Sequence, residues 1–205
     1  MSEKKISVTI YAESTPNPKV MKFVANRAII SGDSIEFKNI DEAEKSPLVI
    51  KLFHFPFVKE VFIARNFVSI TKYDMMEWED ITMEVRQFIR DYLASGGVVL
   101  EERDNSITKK IDKEKPKLFK EFRQKDLGEV EVRIVEILDE YVKPAVESDG
   151  GNIRFISYDK GKVSVLLQGA CSGCPSSTVT LKQGIENILK KMLPTIVDEV
   201  LAVNE

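Results

Sequence analysis

The chain is poor in the residues that most often build chemistry, with two cysteines and one histidine in 205 positions. The scarcity of histidine removes most hydrolase arrangements. A serine or cysteine nucleophile needs a base beside it, and His54 is remote in sequence from Ser172, Ser176 and Ser177. Two cysteines three positions apart exclude a secreted disulfide framework, which shows several at wide spacings. No apolar run approaches the ~18 residues of a membrane span. "ASGGVV" lacks the lysine and the spacing of a phosphate loop. A net charge of −3 supplies no global field for nucleic acid or an anionic membrane, so neither is expected as a partner. The start, "MSEKKISVTI", has no long apolar stretch and mixes acid with base. It reads as neither a secretory signal nor a transit sequence, and a cytoplasmic location is expected.

What is present is ordinary globular material, 43% hydrophobic and 31% charged, ample for a packed core. Between Glu101 and Gly128 the sequence turns to "EERDNSITKKIDKEKPKLFKEFRQKDLG", with seven acids and nine bases. Such density cannot bury enough surface to fold alone and reads as a linker, with Leu118, Phe119 and Phe122 as material for one short helix. The expected organisation is therefore a domain at 1–100, a charged linker at 101–126 and a second domain at 127–205.

In the first domain "ISVTIYA" (6–12) and "MKFVAN" (21–26) read as strands around the Pro16 and Pro18 turn. "SIEFKN" (34–39) extends that hairpin. Ser46 and Pro47 open a short helix, "VKEVFIAR" and "FVSITKY" are strands, and Ile81, Val85, Phe88, Ile89 and Tyr92 fall at helical spacing up to Gly96 and Gly97. The fold class is α+β, and nothing in this half carries evident chemistry. His54, in "LFHFPF", reads as a packed or surface residue rather than a ligand. Met75, Met76 and Trp78 read as core or interdomain contact.

The second domain has the order α-β-β-α plus a tail. Ile134, Ile137, Leu138 and Tyr141 share one helical face that ends before Pro144. "SDGGN" is a turn, with Asp149, Gly150 and Gly151 as turn formers and Asp149 open to a role in a dimer or transfer surface. "NIRFISYD" and "KVSVLLQ" form a hairpin that leads into "GACSGCPSST". After it, Val179, Leu181, Ile185, Ile188, Leu189 and Met192 give the apolar side of a long helix ending at Pro194. Gly184 is expected to permit close packing and Lys182 to face solvent. "TIVDEVLAV" is a short closing element, strand or helix.

Both cysteines, Cys171 and Cys174, lie in that loop. Pro175 suits the first turn of a helix, which puts Cys174 at or near the N-cap. Unpaired N–H groups and the helix dipole there favour thiolate, so lowered cysteine pKa values are expected. Gly169, Ala170 and Gly173 leave the loop bare enough for a bulky ligand to reach the backbone. Three readings compete. A dithiol oxidoreductase also carries CxxC at a strand-to-helix junction, usually on a larger βαβ frame. Structural zinc needs about four ligands, and so does an iron–sulfur cluster. Either metal reading requires a second chain, because this one has no third cysteine and its histidine is remote.

The string "DGGNIRFI…GKVSVLLQGACSGCPSSTVTLKQGIENIL" resembles the C-terminal domain of NifU-like (Nfu-type) iron–sulfur cluster scaffold and carrier proteins. The resemblance runs over nearly all of 127–203. "TPNP" at Thr15–Pro18, followed by "KVMKF", resembles the N-terminal domain found in many Nfu proteins. The resemblance implies a non-enzymatic homodimer in which Cys171 and Cys174 of two subunits hold a labile 4Fe–4S cluster. It implies receipt of the cluster from upstream assembly proteins and transfer to apo-proteins.

Overall fold

The computed structural model describes residues 7–101, 128–172 and 175–203, with residues 175–177 described by their backbone alone. The linker expected at 101–126, the short helix inside it and Cys174 lie outside the described residues, Glu101 excepted. The class is α+β, in two domains.

The first domain is a five-stranded antiparallel sheet in the order β1-β2-β5-β4-β3. Its strands are β1 (Ile10–Ser14), β2 (Val20–Ala25), β3 (Ile35–Phe37), β4 (Val58–Ile63) and β5 (Phe67–Lys72). β1 begins at Ile10, and residues 7–9 of the expected strand precede it, because its ladder is limited to the stretch opposite β2, from Ile10↔Ala25 to Ser14↔Met21; Ile6 lies outside the described residues. β3 does not extend the β1–β2 hairpin. Both edges of β2 are already taken, by β1 and β5, so β3 pairs with β4 instead.

Helix α1 (Pro47–Phe53) starts as its sequence dictates, with the buried Ser46 side chain accepting the Val49 N–H and Pro47 in the first turn. With α2 (Trp78–Ala94) it covers one sheet face. Val61, Ile63, Val68, Ile70, Ile81, Val85 and Ile89 close that core. Trp78 belongs to it and its indole donates to the Pro18 carbonyl at 3.1 Å. Met75 and Met76 are exposed, so only the tryptophan of that group is core. His54 caps the end of α1 and is exposed.

Alternate residues of β2, β4 and β5 point to the opposite face. Phe62, Ala64 and Phe67 form a separate small cluster there, with Val24 against it. A strand whose two faces are both covered reads as continuously buried, as β5 does over Phe67–Ile70.

The second domain opens with α3 (Glu129–Ile137), which continues through a π turn at Leu138–Val142 into α4 (Lys143–Ser148). The helix therefore does not end before Pro144. The proline sits in the first turn of α4, where its missing N–H costs little. The wider turn, with the Lys143 N–H bonding back to the Leu138 carbonyl, absorbs the interruption. The inserted residue shifts the apolar face by one position. Val142 and Val146 are buried, and Tyr141, expected on that face, is half exposed.

β6 (Gly151–Asp159) and β7 (Lys162–Gly169) form the hairpin, and α5 (Pro175–Met192) follows the cysteine loop. The closing element is a strand, β8 (Glu199–Val203), parallel to β7. The core is Ile134, Ile137, Val146, Val163, Val165, Leu167, Ile185 and Leu189, with Cys171 packed among them. Val179 and Met192 are exposed rather than on the buried side of α5. A side chain added at Gly184 would meet only open space, so that glycine does not serve close packing within the chain.

Candidate functional site

The site lies at the open end of the β6–β7 hairpin, where Gly151 pairs with Gly169 and Asn152 with Gln168. Leaving β7, the chain turns tightly. Ser172 donates to the Gly169 carbonyl through its N–H at 3.1 Å and through its hydroxyl at 2.8 Å. The Ala170 N–H reaches the Gly150 carbonyl at 3.3 Å, which ties the DGG turn to the cysteine loop. From the first turn of α5, the Thr178 hydroxyl donates to the Cys171 carbonyl at 3.2 Å. Two glycines are required by this packing. Gly169 has φ +66, and a Cβ there would sit 2.8 Å from the Gly150 carbonyl oxygen. A Cβ on Gly151 would sit 2.6 Å from the Gln168 carbonyl and 2.8 Å from the Cys171 sulfur.

α5 begins at Pro175, where the sequence places it. The Cys171 thiol does not behave as the sequence suggests. It is 5% exposed, and burial, helped by the Asp149 carboxylate, pushes its pKa up to about 12. The expected lowering relied on the helix terminus. Cys171 instead lies before that terminus and turns into the apolar core, where a charged sulfur is poorly solvated. Asp149 caps the end of α4 and acts on the thiol by its charge. Lys182 is half buried and lies 3.9 Å from Glu199. Among the described residues no group of three or more His, Cys, Asp or Glu is placed to hold a metal ion.

The first domain contributes to this loop, which its sequence does not announce. The Glu36 carboxylate accepts the Gly169 N–H at 2.7 Å and the Ser172 hydroxyl at 3.4 Å. The Ser69 hydroxyl donates to the Gly150 carbonyl at 2.7 Å, and the Lys22 ammonium to the Ser148 carbonyl at 3.2 Å. Asn17 donates to the Ala170 carbonyl at 3.4 Å, and Asn152 to the Ser34 hydroxyl at 2.6 Å. The one signal in the sequence was "TPNP", whose Asn17 is the residue that reaches the loop.

Both halves of the chain resemble known proteins. Residues 10–96 match the family described as scaffold protein Nfu/NifU N terminal, and residues 134–200 match the NifU-like domain. A protein of Drosophila willistoni, named NFU1 iron-sulfur cluster scaffold homolog, mitochondrial, is 37% identical over 194 residues. That covers 94% of this chain and 63% of the relative. The protein of the same name from Drosophila persimilis is 38% identical over 194 residues, 94% of this chain and 64% of its own length. A NifU-like protein from Saccharomyces cerevisiae, solved by NMR, is similar over 50% of this chain and 92% of its own, at 28% identity and a TM-score of 0.43.

The relatives' names correct one expectation. They are mitochondrial, which overturns the cytoplasmic location expected from the first residues. That expectation rested on how the chain starts, and the chain spans just under two thirds of those relatives' length. No helix among the described residues is long and apolar enough to cross a membrane. With both halves matched in order along one polypeptide, the chain belongs to the Nfu/NifU family of scaffold proteins.

Proposed function

We propose that the protein is a non-catalytic carrier whose cargo is a labile 4Fe–4S cluster, held between two subunits by Cys171 and Cys174 of each. The carrying observation is the ligand count. The chain supplies two thiols on one loop at a strand-to-helix junction and no further thiol anywhere, while a cluster of this kind takes about four. Family membership and the scaffold names of the relatives support the cargo's identity. A cluster spanning a small interface between two chains is exposed and exchangeable, which suits receipt from assembly proteins and delivery to apo-proteins. The first domain, at 1–100, is joined to the cluster-binding domain, at 127–205, by the charged linker at 101–126. The location carried over from the relatives is the mitochondrion.

A dithiol oxidoreductase fits less well, because that chemistry goes with a βαβ frame, whereas this loop follows an antiparallel hairpin in a three-stranded sheet. Anaerobic reconstitution with iron and sulfide tests the proposal. The expected product is a brown dimer with about four irons per two chains. A colourless monomer without iron would overturn it, and tightly held zinc whose removal unfolds the domain would establish the structural-metal alternative.

A further inference from the structure

One transverse row of residues crosses all five strands of the first domain's sheet on the face away from its helices. The registers Glu13↔Lys22, Lys22↔Ser69, Ser69↔Phe62 and Phe62↔Glu36 place these five side by side, one from each strand. Four of them meet the second domain at its cysteine end. Lys22 and Ser69 bond to carbonyls of the DGG turn, and Glu36 to the Gly169 N–H. The Phe62 ring lies 3.0 Å from where a Cβ on Gly169 would be. Seven polar or charged side chains are buried among the described residues. Five of them, Asn17, Lys22, Ser69, Asn152 and Gln168, belong to this contact or its edge.

We infer that this row is a docking surface for the chain's own cysteine loop, and that docking and cluster loading exclude each other. The inference rests on the cluster-carrier reading above. Its physical basis is that the row recognises backbone. Gly169 N–H, Ala170 carbonyl and Ser172 hydroxyl are each held from the first domain, and Cys171 lies between them with its sulfur turned inward. Surfaces that bond main-chain groups read the conformation of a loop. Turning the Cys171 sulfur outward to meet a cluster shared with another chain rotates those same groups and removes their partners.

The contact is built to release. The cross-strand pair Asn152 and Gln168 has both amide oxygens buried with no hydrogen-bond partner among the described residues. Unpaired buried acceptors are penalised, and separation of the domains would return these two to water. Docking therefore holds the loop with its thiol turned into the second domain's own core when no cluster is present, and opening supplies the binding-competent form, at a population that cluster binding then increases.

The test uses the full-length, reduced, metal-free chain and measures iodoacetamide alkylation of Cys171 against Cys174 by residue-resolved mass spectrometry. Glu36→Lys, on the partly exposed β3, is expected to speed Cys171 alkylation by on the order of tenfold, the equivalent of about one hydrogen bond. Ser69→Asp is the second variant, and Trp78 fluorescence verifies that the first domain is folded in both. Unchanged Cys171 rates in the two folded variants would overturn the inference. Protection that grows with protein concentration would place the docking between chains and overturn docking within one. Small-angle scattering before and after iron and sulfide loading tests exclusion, since a loaded chain with the same interdomain distances would refute it. Faster alkylation in the variants, with no iron taken up by any of the proteins, would uphold the docking and sink the carrier reading alone.

Discussion

The Glu36 carboxylate accepts the backbone N–H of Gly169 at 2.7 Å, across 133 positions of sequence. This bond joins the edge strand of one domain to the last residue of β7 in the other. It shows that the loop's geometry is set from outside its own domain as well as within it.

Gly169 itself is the first place to test that geometry. Alanine there must adopt φ +66, a region L-residues occupy at a cost. Its Cβ would also press on the Gly150 carbonyl and the Phe62 ring. Gly169→Ala is expected to lower the stability of the second domain by about 1–3 kcal/mol. Urea denaturation followed by far-ultraviolet circular dichroism measures it, and an unchanged midpoint would show that the turn relaxes freely.

Removing the thiols separates binding from folding. Cys171→Ala and Cys174→Ala are each expected to abolish iron uptake on reconstitution, because two chains then present two thiols where about four are needed. Cys171→Ala should keep the fold. Cys171→Ser puts a hydroxyl into an apolar pocket and is expected to cost about 1–3 kcal/mol as well. Iron content and thermal unfolding of the two Cys171 variants distinguish the effects. Full cluster occupancy in either single alanine variant is the result that would remove that cysteine from the ligand set.

Ser46 offers a control in the other domain. Fully buried, it accepts from the Val49 N–H at 3.4 Å and donates to the Val99 carbonyl at 2.6 Å. Ser46→Ala is expected to lose about 1–2 kcal/mol, the value of a cap together with an orphaned buried carbonyl. Trp78 fluorescence during denaturation reports on this domain, and iron uptake by the second domain should be unaffected. Stability within about 0.3 kcal/mol of wild type would mean that water replaces the hydroxyl.

Local order was legible where a short-range rule decides it. Ser46–Pro47 opened α1, the Val85 and Ile89 spacing gave α2, and the apolar alternation gave β4–β7. Two kinds of feature escaped. One is competition for an edge. "SIEFKN" has strand character, but nothing in it says that β2 would be filled by β5. The other is register within a helix, where the π turn at Leu138–Val142 moved the buried position from Tyr141 to Val142. At the site, the cysteine pair and the helix start at Pro175 were readable from spacing. The burial of Cys171 was not, because it depends on where the loop turns in three dimensions. Glu36, Lys22 and Ser69 were invisible as site residues, since a polar residue at alternate positions of a strand normally marks a solvated face. Here that face is covered by a second domain.

Glu186 ties α5 to β8, and its titration should be visible in stability. One carboxylate oxygen accepts from Lys190 at 2.6 Å and the other from the Val200 N–H at 3.1 Å. The Lys190 hydrogen bond, aided by that backbone N–H, holds the Glu186 carboxyl below its usual range. A depressed folded-state pKa contributes stability that is present above the unfolded value, about 4.3. That contribution is lost as the pH falls through the folded value. The pair is partly exposed, so the effect is small, within about 1 kcal/mol. Glu186→Gln keeps an acceptor for Val200 and loses the charge. It is expected to be slightly less stable than wild type at pH 7 and to converge on it as the pH falls through the depressed folded value. Denaturant midpoints of both proteins between pH 3 and 7 measure the difference, and a gap that stays constant across that range would show that the charge on Glu186 contributes nothing.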